Sequence, residues 1–171
     1  DIYRSRFQPS ERLGEPNLML GLNVFAAETD EEAQFLFSSL QQAFVNLRSG
    51  RPGKLPPPVE GYVASLDPMA KAMLDQALSC AVVGSPSTVK KGLAAFIRRT
   101  GADELMVTAQ IFDQKARVRS FEILAEAHRD LQQAVWRARA SAGKRHLAHS
   151  RAFVKADRGG IADVHLQVEM R

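Results

Sequence analysis

The segment Ala81 to Val107, "AVVGSPSTVKKGLAAFIRRTGADELMV", limits the fold more than any other part of the chain. A short apolar run meets Gly84-Ser85-Pro86, a helical pattern follows, and Gly101 closes it before a second apolar run. Val89, Leu93, Phe96 and Ile97 recur at helical spacing, whereas Lys90, Lys91, Arg98 and Arg99 fall largely elsewhere. Ser85 and Pro86 suit the cap and first position of a helix, and Arg98-Arg99 suit its negative C-terminal end. The segment therefore reads as strand, turn, helix, strand. Its turn also has a second reading, because free amides at a helix start attract phosphate. Gly84 lacks the partner glycines of a P-loop or dinucleotide fingerprint, so a cap is the preferred reading and a phosphate cradle the alternative.

The same alternation extends in both directions. "NLMLGLNVFAA", residues 17–27, is a nearly continuous apolar run, as expected of a strand buried on both faces of a parallel sheet. Thr29 and Glu32 form a capping-box pattern ahead of a helix over 30–49, with Ala33, Leu36, Phe37, Leu40, Phe44 and Leu47 on one face. Further elements are expected as helix 68–79 opened by Asp67-Pro68, strand 80–83, helix 86–99, strand 104–112, and helix 114–127 capped by Asp113. In the last helix Val118, Phe121 and Leu124 keep the period, and Leu131 and Val135 carry it further. The first ten residues read as the end of a helix in a chain truncated at its N-terminus. This is an α/β pattern with a parallel sheet. Three strands are too few for a complete doubly wound domain or an eight-fold βα barrel.

"RPGKLPPPVEGY", residues 51–62, reads as a stiff surface connection. Cys80 lies beside an apolar run with no basic neighbour, which reads as packing and not as a nucleophile. A single cysteine excludes an internal disulfide, and no apolar run reaches the ~20 residues that span a bilayer, so a cytoplasmic setting without membrane contact is expected. The net charge of +4 is unevenly placed. Residues 128–171 hold nine Lys and Arg against four acids, a net +5, together with all four histidines and Trp136. The expected domains are therefore 1–127 and a basic tail, 128–171. The tail has the composition of a frameshifted or read-through coding region, with an evolved basic extension as the alternative. His146 and His149 lack further ligands nearby, so no metal site is expected. A nucleic-acid reading would rest on the tail alone, which lacks interleaved aromatics.

Three pieces carry a family resemblance: "VFAAETDEEA", "VGSPSTV" and "ADELMVTAQIFDQKARVRSFEILA". In this order and spacing, over about residues 3–127, the chain resembles the C-terminal part of the bacterial luciferase-like, flavin-dependent monooxygenases. The resemblance implies the last three βα units of a TIM-type βα barrel, incomplete here, with the strands as its sixth, seventh and eighth. It also implies an oxidoreductase using reduced FMN and O₂ on a small organic substrate, with flavin in the barrel mouth. The family's main phosphate contacts would lie on the first five strands, to which nothing here corresponds. The expectation is a fragment inactive alone.

Within that frame the residues ending the strands face the site, and Gly84, Ser85 and Gln110 are the cofactor-binding candidates. Gln110 shares one side of its strand with Met106 and Thr108, opposite Leu105, Val107, Ala109 and Ile111. The pattern leaves open which side faces inward. Asp113 is read as a helix cap, and Arg117 and Arg119 as solvating the last helix. No catalytic residue is assigned. The alternative to an enzyme fragment is a non-enzymatic α/β module that associates through exposed strand edges, or a basic-tail nucleic-acid binder.

Overall fold

The computed structural model describes residues 2–141, 152–155 and 163–167. After a short helix α1 (Ile2–Arg6), the body runs β1 (Met19–Ala26), α2 (Asp30–Arg48), a 3-10 turn (Tyr62–Ser65), α3 (Pro68–Ala77), β2 (Val82–Gly84), α4 (Pro86–Thr100), β3 (Glu104–Thr108) and α5 (Gln114–Ser141). Two further strands, β4 (Ala152–Lys155) and β5 (Asp163–Gln167), follow. Every strand and helix expected over residues 17–127 is present. Helix α5 runs through the composition change at residue 128 without a break, the continuation anticipated from Leu131 and Val135.

The sheet order is β2-β1-β3-β5-β4. The first three strands are parallel, as expected, but β1 is central. Three consecutive barrel strands would put β2 in the middle, so their assignment as sixth, seventh and eighth in order is corrected. The reason is length. The eight residues of β1 pair with β3 through Met19–Asn23 and with β2 through Val24–Ala26. The outer edge of β3 is occupied by β5, which runs antiparallel to it, so the edge expected to be open there is paired. His146 and His149 lie outside the described residues. Among the described residues no cluster of His, Cys, Asp and Glu could hold a metal ion, and no helix is long and apolar enough to cross a membrane.

Side-chain alternation decides which strand face is core. Leu22, Val24 and Ala26 of β1 and Leu105 and Val107 of β3 are buried in one cluster with Val89, Leu93, Phe96 and Ile97 of α4 and Phe121, Ile123, Leu124 and Ala127 of α5. Fully burying each large member contributes ~1.5–3 kcal/mol. The other face carries Met19, Gly21, Asn23, Met106 and Thr108, and there Met19 and Met106 are 49% and 39% exposed. It closes only at its end, where Phe25 meets Phe37 of α2 edge to face with ring centroids 4.8 Å apart. Helical periodicity overreached at three positions: Phe44 is half-buried, and Leu47 and Val118 are exposed. Cys80 is exposed too, which corrects its reading as a packing residue: helix α3 stops at Ala77 and leaves the thiol on a turn.

Helix α4 lies close on β2 because Gly92 has no side chain. A Cβ there would stand 2.7 Å from Cγ1 of Val82. Helix propensity favours alanine over glycine by about 1 kcal/mol. A β-branched neighbour has little rotamer freedom to give way, however, and overpacking costs ~1–3 kcal/mol. Gly92→Ala is therefore expected to lower the unfolding free energy by about 1 kcal/mol. A urea midpoint that rises instead would show that β2 yields without cost.

Candidate functional site

The turn after β1 and the turn after β2 meet at one carboxylate. Thr29 caps α2 by accepting the Glu32 N–H at 3.1 Å, as its capping-box pattern predicts. The reciprocal bond differs from expectation: Glu32 Oε2 accepts from the N–H of Glu28, one residue before the cap, at 3.2 Å. The next residue, Asp30, is thereby set at the first helical position. Its Oδ1 accepts the N–H of Ser85 at 2.6 Å, across to the start of α4. Alongside, the N–H of Ala27 donates to the carbonyl of Gly84 at 3.2 Å.

This geometry answers the question posed by Gly84-Ser85. Ser85 occupies the cap position of α4, but its hydroxyl makes no capping bond. It bonds to the hydroxyls of Thr88 and Ser87 at 3.2 and 3.3 Å. The anion favoured at this helix start is supplied by the chain itself, as Asp30. Gly84 is required twice over. Its φ of 153° is disfavoured for a side-chain-bearing residue, and a Cβ would stand 2.6 Å from Asp30 Oδ1 and 2.5 Å from Thr88 Cγ2. The Ser85 amide, and then the Thr88 and Ser85 hydroxyls, hold the Asp30 carboxyl below its ordinary value of 3.8.

Gln110 stands apart from this pair. It follows β3, and β1 lies between β3 and β2, so the three candidate residues share the C-terminal edge of the parallel strands without forming one cluster. The structure settles its side. Leu105, Val107, Ala109 and Ile111 are buried, whereas Gln110 is exposed on the face of Met106 and Thr108. Asn23, which the sequence reading did not single out, belongs with them. It is the register partner of Thr108, whose Oγ1 donates to Asn23 Oδ1 at 2.7 Å. Only an Asn inside an otherwise apolar strand hinted at it.

The remaining polar residues are structural. Asp113 caps α5, its Oδ1 accepting the Ala116 N–H at 2.8 Å, as read from the sequence. Arg119 does more than solvate the helix. Its Nε donates to Glu28 Oε1 at 2.7 Å and its Nη1 to Glu122 Oε2 at 3.2 Å, and Glu28 is the foremost cause of its raised pKa. Arg119 thus ties α5 to the β1–α2 turn.

No protein-family model matches the chain. An Escherichia coli K12 protein named luciferase-like monooxygenase is 45% identical over 130 residues, 76% of this chain and 39% of its own. The uncharacterised Bacillus subtilis protein YvbT is 44% identical over 126 residues, 74% of this chain and 38% of its own. Among solved structures, that of apo-MsnO8 superposes with a TM-score of 0.59 and 33% identity, covering 73% of this chain and 38% of that one. The chain thus spans about two fifths of the length of the relatives it matches.

The lowered pKa of Asp30 gives a signed expectation. A carboxyl whose folded value lies below its unfolded one contributes stability above about pH 3.8, and loses it as pH falls through the lower folded value. Asp30→Asn is expected to be less stable than the parent at neutral pH and to lose less between about pH 5 and pH 2. Unfolding curves for the two proteins that stay parallel across that range would show that the Ser85 contact contributes nothing.

Proposed function

The chain belongs, over about three quarters of its length, to the luciferase-like monooxygenase family, and from that premise we propose that it forms the C-terminal part of the flavin site of such an enzyme. One observation carries the reading. Helices α4 and α5 cover one face of β1 and β3, while the opposite face carries Asn23 and Thr108 and is closed by Phe25 against Phe37 where β1 ends, and Gln110, just past β3, stands exposed at the C-terminal edge of the parallel strands. In a βα barrel the helices lie outside, and ligands sit at that edge. On this reading β1 and β3 are barrel walls, β2 buttresses the end of β1, and Asn23, Thr108 and Gln110 look into the barrel.

FMN fits this face in part. The Gln110 amide and the Asn23–Thr108 pair offer hydrogen bonds beside the apolar Met19 and Met106, which suits a flat ring system with a polar edge. The start of α4 does not suit the phosphate, because Asp30 already takes the Ser85 amide and would repel a second anion. Gly84 and Ser85 are therefore assigned to the Asp30 lock, and the phosphate to groups outside this chain. When bound, reduced flavin would supply the reactivity toward O₂, and the residues of this chain would orient its ring and shield it from water. A cytoplasmic setting accords with a single cysteine.

The exposed Met19 and Met106 also favour a second reading, in which the open face associates with a second copy of the chain. Titration of the full chain with FMN, followed by flavin fluorescence with solution mass recorded alongside, separates the two. Saturable binding that Gln110→Ala weakens about three- to ten-fold is expected. A folded chain that binds no FMN would overturn the proposal, and oligomers without flavin would support the second reading.

A further inference from the structure

Gly21 lies inside β1, and nothing among the described residues accounts for it. The positive φ values belong to Gly50, Gly61, Gly84 and Gly101, so the backbone at Gly21 does not call for glycine. No bulge interrupts the strand there, since Met19–Asn23 pair in unbroken register with Glu104–Thr108. No neighbour crowds it either. A Cβ at Gly21 would meet no described atom within 4 Å, whereas one at Gly84 or Gly92 would collide. A glycine inside a strand weakens it, and without a bulge or internal crowding it marks close approach by a ligand or another chain.

The recess lies on the open face. Alternation sets Met19 and Asn23 on either side of Gly21 along β1, and Met106 is its register partner on β3. Both methionines are exposed, and thioethers make favourable contacts with aromatic rings. Asn23 adds polarity of a defined sense. Its Oδ1 accepts from Thr108 Oγ1 at 2.7 Å, so the group it keeps for a ligand is its amide N–H. An N–H donor selects an acceptor such as a carbonyl oxygen. No side chain of β1 is ionisable, so the selection here is by shape and hydrogen bonding and not by charge.

We infer that Gly21 and Asn23 are the specificity-determining pair of this face: the recess at Gly21 admits the edge of a planar heteroaromatic ring, and the Asn23 amide donates to a carbonyl oxygen on that ring. The inference rests on the flavin reading, in which the carbonyl-bearing part of the FMN ring system is the edge concerned. Thr108 is a positioning residue, because it acts by holding the Asn23 oxygen.

The test titrates the full chain with FMN, and records urea unfolding and solution mass for each variant. Gly21→Ala and Gly21→Val fill the recess in two steps. Each should raise the urea midpoint, because a side chain suits a strand better than glycine does. FMN binding should nevertheless fall, about three-fold for alanine and about ten-fold or more for valine. Asn23→Leu should weaken FMN about ten-fold and move a carbonyl stretch of bound FMN to higher frequency, as loss of a donor requires. Thr108→Val should shift the same band, and Thr108→Ser should restore it. Should Asn23→Leu fail to fold, the Gly21 variants and the Thr108 pair decide the matter. A folded parent that binds no FMN overturns the flavin reading and this inference together. If the parent binds FMN and Gly21→Val binds it equally well, this inference alone is overturned. The same holds if Gly21→Val loses stability along with binding, or abolishes self-association while sparing FMN.

Discussion

The arrangement depends on the Asp30 carboxylate, placed where two helices begin. As the first residue of α2 it faces the positive end of its own helix, and through Ser85 it takes the positive end of α4 as well. One charge thereby joins the ends of β1 and β2, the strands from which those helices depart. The requirement for Gly84 follows, since a side chain there would enter the space that Asp30 and Thr88 occupy. The glycine-serine turn thus has the chemistry of an anion site, but the chain has filled it from within.

Charge is otherwise a minor contributor. The pairs Lys90–Asp130 and Arg119–Glu28 link α5 to α4 and to the β1–α2 turn, yet all four side chains are substantially exposed. Such pairs are worth ~0–1 kcal/mol each. Phe121, Ile123, Leu124 and Ala127, buried against β1, β3 and α4, are what seat α5. The consequence for function is an asymmetry between faces. One side of the parallel strands is closed by apolar packing, and the other is left with amides, a hydroxyl and two methionines. That open side gives the flavin reading its physical content.

Where interactions are local, they were legible in the sequence. Period and caps located α2, α4 and the start of α5, because Thr29, Pro86, Gly101 and Asp113 act on residues three or four positions away. The three quoted motifs carried the family for the same reason: each is a short join between consecutive elements. Errors arose where a residue's partner is remote or absent. The apolar neighbours of Cys80 suggest packing, yet its thiol lies exposed on a turn. Alternation put Gln110 on the strand face of Met106 and Thr108 and left open which face is the core, and Asn23 could join them only once β1 and β3 were in register.

The sequence by itself determined the alternation of strands and helices, the apolar stripe of each helix and the membership of the family, because these rest on residue spacing within short segments. Tertiary structure decided that β1 and not β2 is central, that β5 covers the edge of β3, and that Asp30 meets Ser85 across 55 positions. Such outcomes depend on strand length, on register and on which distant groups compete for the same donor. None of these is encoded in the local period of the chain.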